Sequence, residues 1–270
     1  MAVRPTVSII MAEFNTQPEH LQDVLRCVVA QSFPDFELIL VDDRGANDVG
    51  AIVDALSDPR LRVIVNPKNL GFVEALHVGL AAARADLLIR MDTDDLYEVD
   101  HISKLVQAAS SHPEYAVIST MSREISDDGR TILLGREGEK TAKDLIRGNA
   151  LIHPATLIRR SAIERVGGYP REFPRAEDLA LWCEFLLAGE RLYMTGDITH
   201  SYRVDLGNYK KRRLRYRAGE LRARWHYYPR LGASPFDYLK LLRSVLGGIL
   251  PGRFVRFLRR VEANTVGRQP

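Results

Sequence analysis

Cysteine is scarce in this 270-residue chain: Cys27 and Cys183 are its two. They stand far apart in helix-like apolar patterns, without metal-ligand spacing. That excludes a disulfide-stapled scaffold and suits a reduced, cytosolic compartment. No apolar run reaches the ~18 residues of a spanning helix. The opening MAVRPTVSII lacks the apolar segment and small-residue cleavage site of a secretory signal. Neither GxGxxG nor a Walker sequence is present, which argues against a dinucleotide or P-loop site. Repeats and low-complexity stretches are also missing. What remains is ordinary globular composition, 46% hydrophobic and 27% charged. The length suits one large α/β domain, or one plus an appendage.

The net charge of +3 hides a division. Residues 1–202 carry 21 Lys/Arg against 31 Asp/Glu, whereas residues 203–270 carry 17 against 4. An acidic body thus precedes a strongly basic tail, whose natural partner is a polyanion: an anionic membrane surface, nucleic acid or a phosphorylated substrate. Tyr209 to Arg224 interleaves cations with tyrosines, and Phe236, Leu239, Leu242, Leu246 and Ile249 recur at helical spacing. Phe254, Phe257, Leu258 and Val261 repeat the theme among arginines. Such stripes suit an amphipathic helix lying in an anionic bilayer surface; the alternative is a helix docked on the body with a solvated basic face. No nucleic-acid-binding motif is present.

Over the first hundred residues, buried-strand patterns alternate with helical ones. Val7–Met11, Phe36–Val41, Leu61–Val65 and Leu87–Ile89 read as strands, with helical spacing from Leu21 to Val28, Ala51 to Leu56 and Phe72 to Ala83. This predicts βαβ units and a mostly parallel sheet flanked by helices. Further on, a helix over Ile102–Ala109, a strand at Ala116–Ser119 and a hairpin turn at Asp127–Gly129 are expected. Ser161 with Glu164 has the spacing of a capping box, and a helix is expected just after Glu177-Asp178.

Ligands of open parallel sheets bind beyond the carboxyl ends of the strands. There the sequence places Glu13-Phe14-Asn15, Asp42-Asp43 and Asp92-Thr93-Asp94-Asp95. Five aspartates on one edge repel one another unless a cation neutralises them, and Mg²⁺ or Mn²⁺ carrying a diphosphate does so. The plainer alternative is solvated turn residues and helix caps. Asn69-Leu70-Gly71 opens a helix and either offers N–H groups to a phosphate or serves as a cap.

Three segments in order, VSIIMAEFN, QSFPDFELILVDD and NPKNLGFVEALHVGLAAARADLLIRMDTDD, resemble the family 2 glycosyltransferases of the GT-A fold. The likeness is to bacterial cytoplasmic enzymes that build exopolysaccharide and O-antigen units. It continues through HPATLIRRSAIERVGGYP and AEDLALW to about residue 203. The resemblance implies a GT-A (nucleotide-diphospho-sugar transferase) catalytic domain over 1–203, with 204–270 as a basic helical appendage. It implies inverting, metal-dependent transfer from a nucleotide sugar, UDP-linked by preference, to a glycan or polyprenyl-diphosphate-linked acceptor, at the inner face of the plasma membrane.

By position, Asp43 matches the residue reading the uracil edge, with Ala12, Phe14, Asn69 and Asp92 also on the nucleotide. Asp94, with Asp92, matches the DxD motif that holds Mn²⁺ or Mg²⁺. Asp178 matches the catalytic base, with Glu177 its rival. His153, Glu177 and Arg203 are acceptor-side or phosphate candidates, and His200 is a further metal candidate. Ala12 stands where the family has Pro, and Glu13 where it has a small or apolar residue. Two alternatives fit these residues less well. A sugar-phosphate nucleotidyltransferase would carry a basic, Gly-rich loop after the first strand, where AEFNTQPEH stands instead. A non-catalytic nucleotide-sugar-binding scaffold has no need of both Asp94 and Asp178.

Overall fold

The computed structural model describes residues 4–125, 131–148, 150–203 and 214–238. Strands β1 (Val7–Glu13), β2 (Phe36–Asp42), β3 (Leu61–Val65) and β4 (Leu87–Arg90) form the parallel half of one sheet, with β1 between β2 and β4. Helices α1 (Pro18–Val29), α2 (Val49–Asp54) and α3 (Phe72–Ala82) make the crossovers. The chain then adds β5 (Leu96–Tyr97), α4 (His101–Ser111), β6 (Val117–Ile125), β7 (Thr131–Leu134), β8 (Gly138–Lys140) and α5 (Ala142–Ile146). It ends with β9 (Thr156–Arg159), α6 (Arg160–Arg165), α7 (Glu177–Leu187), β10 (Leu192–Arg203) and α8 (Leu214–Tyr227). Among the described residues the order is β3-β2-β1-β4-β9-β6-β10-β5, with β7 on β6 and β8 on β10. β9 is antiparallel to both its neighbours, so the sheet is mixed beyond β4.

Alternation along the strands builds two cores. Val7, Ile9, Met11, Leu38 and Leu40 face α1, α2 and α4, whereas Ile10, Ile39, Val41 and Leu88 face α3, α6 and α7. Gly79 lets α3 lie close on the second face: a Cβ there would stand 2.5 Å from Ile10 Cγ2. Buried Ala223 and Tyr227 of α8 and the following Tyr228 join this second core, so the described part of the expected appendage packs against α7. Residues 204–213 and 239–270, which hold most of the expected basic amphipathic stripe, lie outside the described residues, as does the expected turn at Asp127–Gly129. β6 and β7, which flank residues 126–130, pair antiparallel.

One local expectation fails. α6 follows β9 directly, its cap position is Arg159, and Ser161 lies inside the helix without a capping hydrogen bond. The capping box occurs instead at α5, where Thr141 and Asp144 bond reciprocally. A helix entered straight from a paired strand has its start set by the sheet, which overrides the S-x-x-E pattern. Glu177 and Asp178 form the first turn of α7 rather than preceding it.

Candidate active site

The carboxyl ends of β1, β2 and β4 converge on one edge. Asp43, just past β2, is buried, and its N–H donates to the Glu13 carbonyl. Its carboxylate accepts from the Asn66 amide (2.7 Å), the Leu70 N–H (2.8 Å) and the Gly71 N–H (2.8 Å). The N–H groups of Leu70 and Gly71, the two residues that precede α3, are therefore engaged by Asp43, which fixes the loop that leads into the helix. Gly71 reaches this position at φ 88, a region that favours glycine. Asn69 is exposed and its amide donates to the Asp43 carbonyl at 3.3 Å. Ala12 is half-buried at the end of β1, whereas Phe14 is 52% exposed beside it. Glu13 turns inward: it is fully buried, and Oε1 accepts from the Thr16 N–H and the Asn47 amide, tying two loops together.

Beyond β4 the chain turns so that Asp92, Asp94 and Asp95 each place a carboxylate oxygen within 4.8 Å of the others. The Asp92 N–H donates to the Tyr97 hydroxyl, and Thr93 meets Thr16 at 2.7 Å, tying this turn to the loop after β1. Asp94 is exposed at the mouth. Asp95 is buried: Oδ2 lies 2.9 Å from His200 Nε2, and Oδ1 accepts from the Arg203 N–H. His200 Nδ1 is paired with Ser122, so both its ring nitrogens are engaged and the ring braces Asp95 from beneath. The Arg203 guanidinium reaches Asp23 of α1. Three clustered carboxylates, one of them outward-facing, are a donor set of hard oxygens that fits Mg²⁺ or Mn²⁺.

Asp178 and Glu177 stand at the start of α7, both only partly exposed. Burial pushes the Asp178 carboxyl above its usual range, opposed by the Leu179 N–H, which donates at 2.6 Å, and by the Arg90 charge. Burial, then the adjacent Asp178, pushes Glu177 up to about 7. The cation acting on both is Arg90, a residue that the sequence analysis passed over. It is 6% exposed at the end of β4 and ion-paired with Asp92. Its Nε and Nη1 have no hydrogen-bond partner among the described residues. Burial alone would lower its pKa; Asp92 more than offsets this. His153 is buried, lies 2.8 Å from the Tyr169 hydroxyl, and is kept neutral by burial and then by Arg90. Arg90 thus links the acidic turn after β4 to the acid pair on α7. The signal in the sequence was an arginine inside the otherwise apolar LLIRM. Tyr169 and Tyr202, which share the electrostatic surroundings of this pair, left no such signal.

Solved structures resemble this arrangement. S. aureus TarS in complex with UDP superposes with a TM-score of 0.63 at 20% identity, covering 76% of this chain and 62% of that one. Mannosyltransferase PcManGT from Pyrobaculum calidifontis, in complex with GDP-Man and Mn²⁺, does so with a TM-score of 0.67 at 18% identity, covering 100% and 77%. The architecture is that of a GT-A glycosyltransferase. The family description Glycosyl transferase family 2 matches residues 8–167, and the chain belongs to that family. Among curated relatives, the UDP-Gal:alpha-D-GlcNAc-diphosphoundecaprenol beta-1,3-galactosyltransferase of Escherichia coli is 25% identical over 262 residues, covering 93% of this chain and 94% of the relative.

Proposed function

We propose that this glycosyltransferase moves a sugar, with inversion, from a nucleotide diphosphate donor to a hydroxyl of a glycan or lipid-linked acceptor in cell-surface polysaccharide synthesis. The observation that carries the reading is the placement of the Asp92–Asp95 turn and the Glu177–Asp178 pair around one buried cation, Arg90. A bound divalent ion, Mn²⁺ or Mg²⁺, held by Asp94 and Asp92, would neutralise charge on the departing diphosphate. Asp43 spends three of its roughly four lone-pair sites on the loop between β3 and α3, leaving one for an N–H of the base. Exposed Phe14 and Leu70 each lie one residue from a backbone or side-chain contact around Asp43 and offer apolar surface to the base.

Asp178 takes the proton of the acceptor hydroxyl as that oxygen bonds to the anomeric carbon and the bond to the diphosphate oxygen breaks. Its raised pKa makes it a stronger base than an exposed carboxylate. Glu177 stays beside it as the alternative base. His153, kept neutral by burial, meets the Tyr169 hydroxyl and brings no charge to a phosphate. The names of the neighbours support both UDP and GDP donors, and the name of the E. coli relative supports a polyprenyl-diphosphate acceptor.

No helix among the described residues is long and apolar enough to cross a membrane. Contact with the inner face of the membrane through the basic tail therefore rests on its composition. Calorimetric titration of UDP and GDP, with and without Mn²⁺ or Mg²⁺, tests the donor reading. Metal-dependent UDP binding lost in Asp94→Asn is expected. Binding of GDP alone would retire the UDP reading, and no nucleotide binding would retire the transferase reading. The tail is tested by sedimentation with anionic vesicles at physiological salt, where the protein is expected in the pellet.

A further inference from the structure

Away from the acidic edge, the loop between α6 and α7 and the outer face of α8 enclose an open cavity of about 700 Å³, within the size range of small-ligand sites. Buried Phe173 and Tyr227 form apolar surface within it, and Trp225, 74% exposed, stands as a wall with one edge against Tyr238. Its charged lining is balanced, with Arg171 and Arg222 against Glu172 and Glu184. Arg171 is engaged by Glu74, and Glu184 is paired with Arg230 at 3.9 Å. Arg222 lies over the Phe173 ring, 5.9 Å from its centre, and has no carboxylate partner among the described residues.

We propose that this cavity is a second saccharide subsite, holding a sugar of the acceptor distant from the reacting hydroxyl. The inference rests on the transferase reading above. A balanced charge set does not select a polyanion. Alternating planar polar groups and aromatic faces suit a neutral polyol, whose hydroxyls hydrogen-bond to Arg and Glu while its C–H faces lie on a ring. The position is apt. Tyr169, which lines the cavity, also reaches His153 with its hydroxyl. Glu184, in the cavity lining, follows Asp178 by six residues on α7, roughly 9 Å along the helix axis and about a third of a turn around it. A ligand spanning from Asp178 to this cavity needs more than one ring, so the subsite selects oligosaccharide over monosaccharide acceptors.

The two tryptophans make the test direct, because Trp182 is fully buried and Trp225 is exposed. Lactose, maltose and N,N′-diacetylchitobiose are titrated into the full chain up to about 50 mM, above the millimolar range of weak binding, while tryptophan emission is followed. At least one should give a saturable blue shift, absent in Trp225→Phe and weakened about tenfold in Arg222→Ala. Calorimetric UDP–Mn²⁺ binding should persist in both variants. Three results would overturn the subsite: no shift with any of the sugars, a shift that survives in Trp225→Phe, or an affinity unchanged in Arg222→Ala. A shift produced only by phosphatidylglycerol vesicles would make the surface a bilayer contact instead. Loss of UDP binding in the unmodified chain would defeat the transferase reading, with the sugar result standing separately.

Discussion

At the end of β2, Asp43 is buried and accepts three hydrogen bonds from one short loop. At the start of α7, the Asp178 carboxylate accepts from Leu179 on its own helix, and Glu177 beside it is pushed up to about 7. Both are acids on one site edge, yet the fold treats them oppositely. Where a carboxylate serves as architecture, donors are supplied until its geometry is set. At the proposed base the donors come from its own helix turn, and burial raises the basicity. Arg90, ion-paired with Asp92 and with two nitrogens that have no partner among the described residues, moderates the second region.

The comparison breaks most visibly at Asp178. Asp178→Asn should reduce transfer by roughly 10²–10⁴-fold, the range of general-base contributions, with donor binding retained in calorimetry. Transfer at the unmodified rate would remove it from the mechanism. On the architectural side, Asp43→Ala strands the Leu70 and Gly71 N–H groups and the Asn66 amide. It should cost about 3 kcal/mol in urea unfolding, besides nucleotide affinity. A neutral result would mean that the loop does not depend on this carboxylate.

Glu177 sharpens the contrast through pH. Its pKa of about 7 lies above the ordinary 4.5, so the folded chain keeps a proton that the unfolded chain has released. Stability should therefore fall as pH rises from about 4.5 through about 7 and then level. Because the group is partly exposed, the total should be roughly 1–2 kcal/mol. Thermal melts of Glu177→Gln should show that slope flattened. Arg90→Met removes the charge that lowers both acids, so the acidic limb of the pH–rate profile should move to higher pH. A limb that stays in place would show that Arg90 acts elsewhere. The smallest effects separate two helix starts. Thr141→Ala should cost about 1 kcal/mol, whereas Ser161→Ala should stay within about 0.5 kcal/mol.

The parallel half of the sheet was legible because its strands are short apolar runs set between helical spacings. Each of Val7–Met11, Phe36–Val41 and Leu61–Val65 lies within a strand of the structure. The Ser161 capping box misled, since a local pattern carries no information about the strand that feeds the helix. Asp92 and Asp94 were visible as a cluster. The role of His200 was not, since its pairing with Asp95 spans 105 residues.

By itself, the amino-acid order determined which segments are strands and helices, which strand ends carry acids, and that the C-terminal part is basic. These follow from periodicity and charge, which are local. Only the tertiary structure decided that Arg90 lies buried among the acids of two distant segments. The same holds for Glu13 turning away from the edge, for Asp43 gathering the loop ahead of α3, and for Tyr227 and Tyr228 entering the second core. Burial and electrostatic coupling depend on what packs through space, and neither is a property of a residue and its chain neighbours.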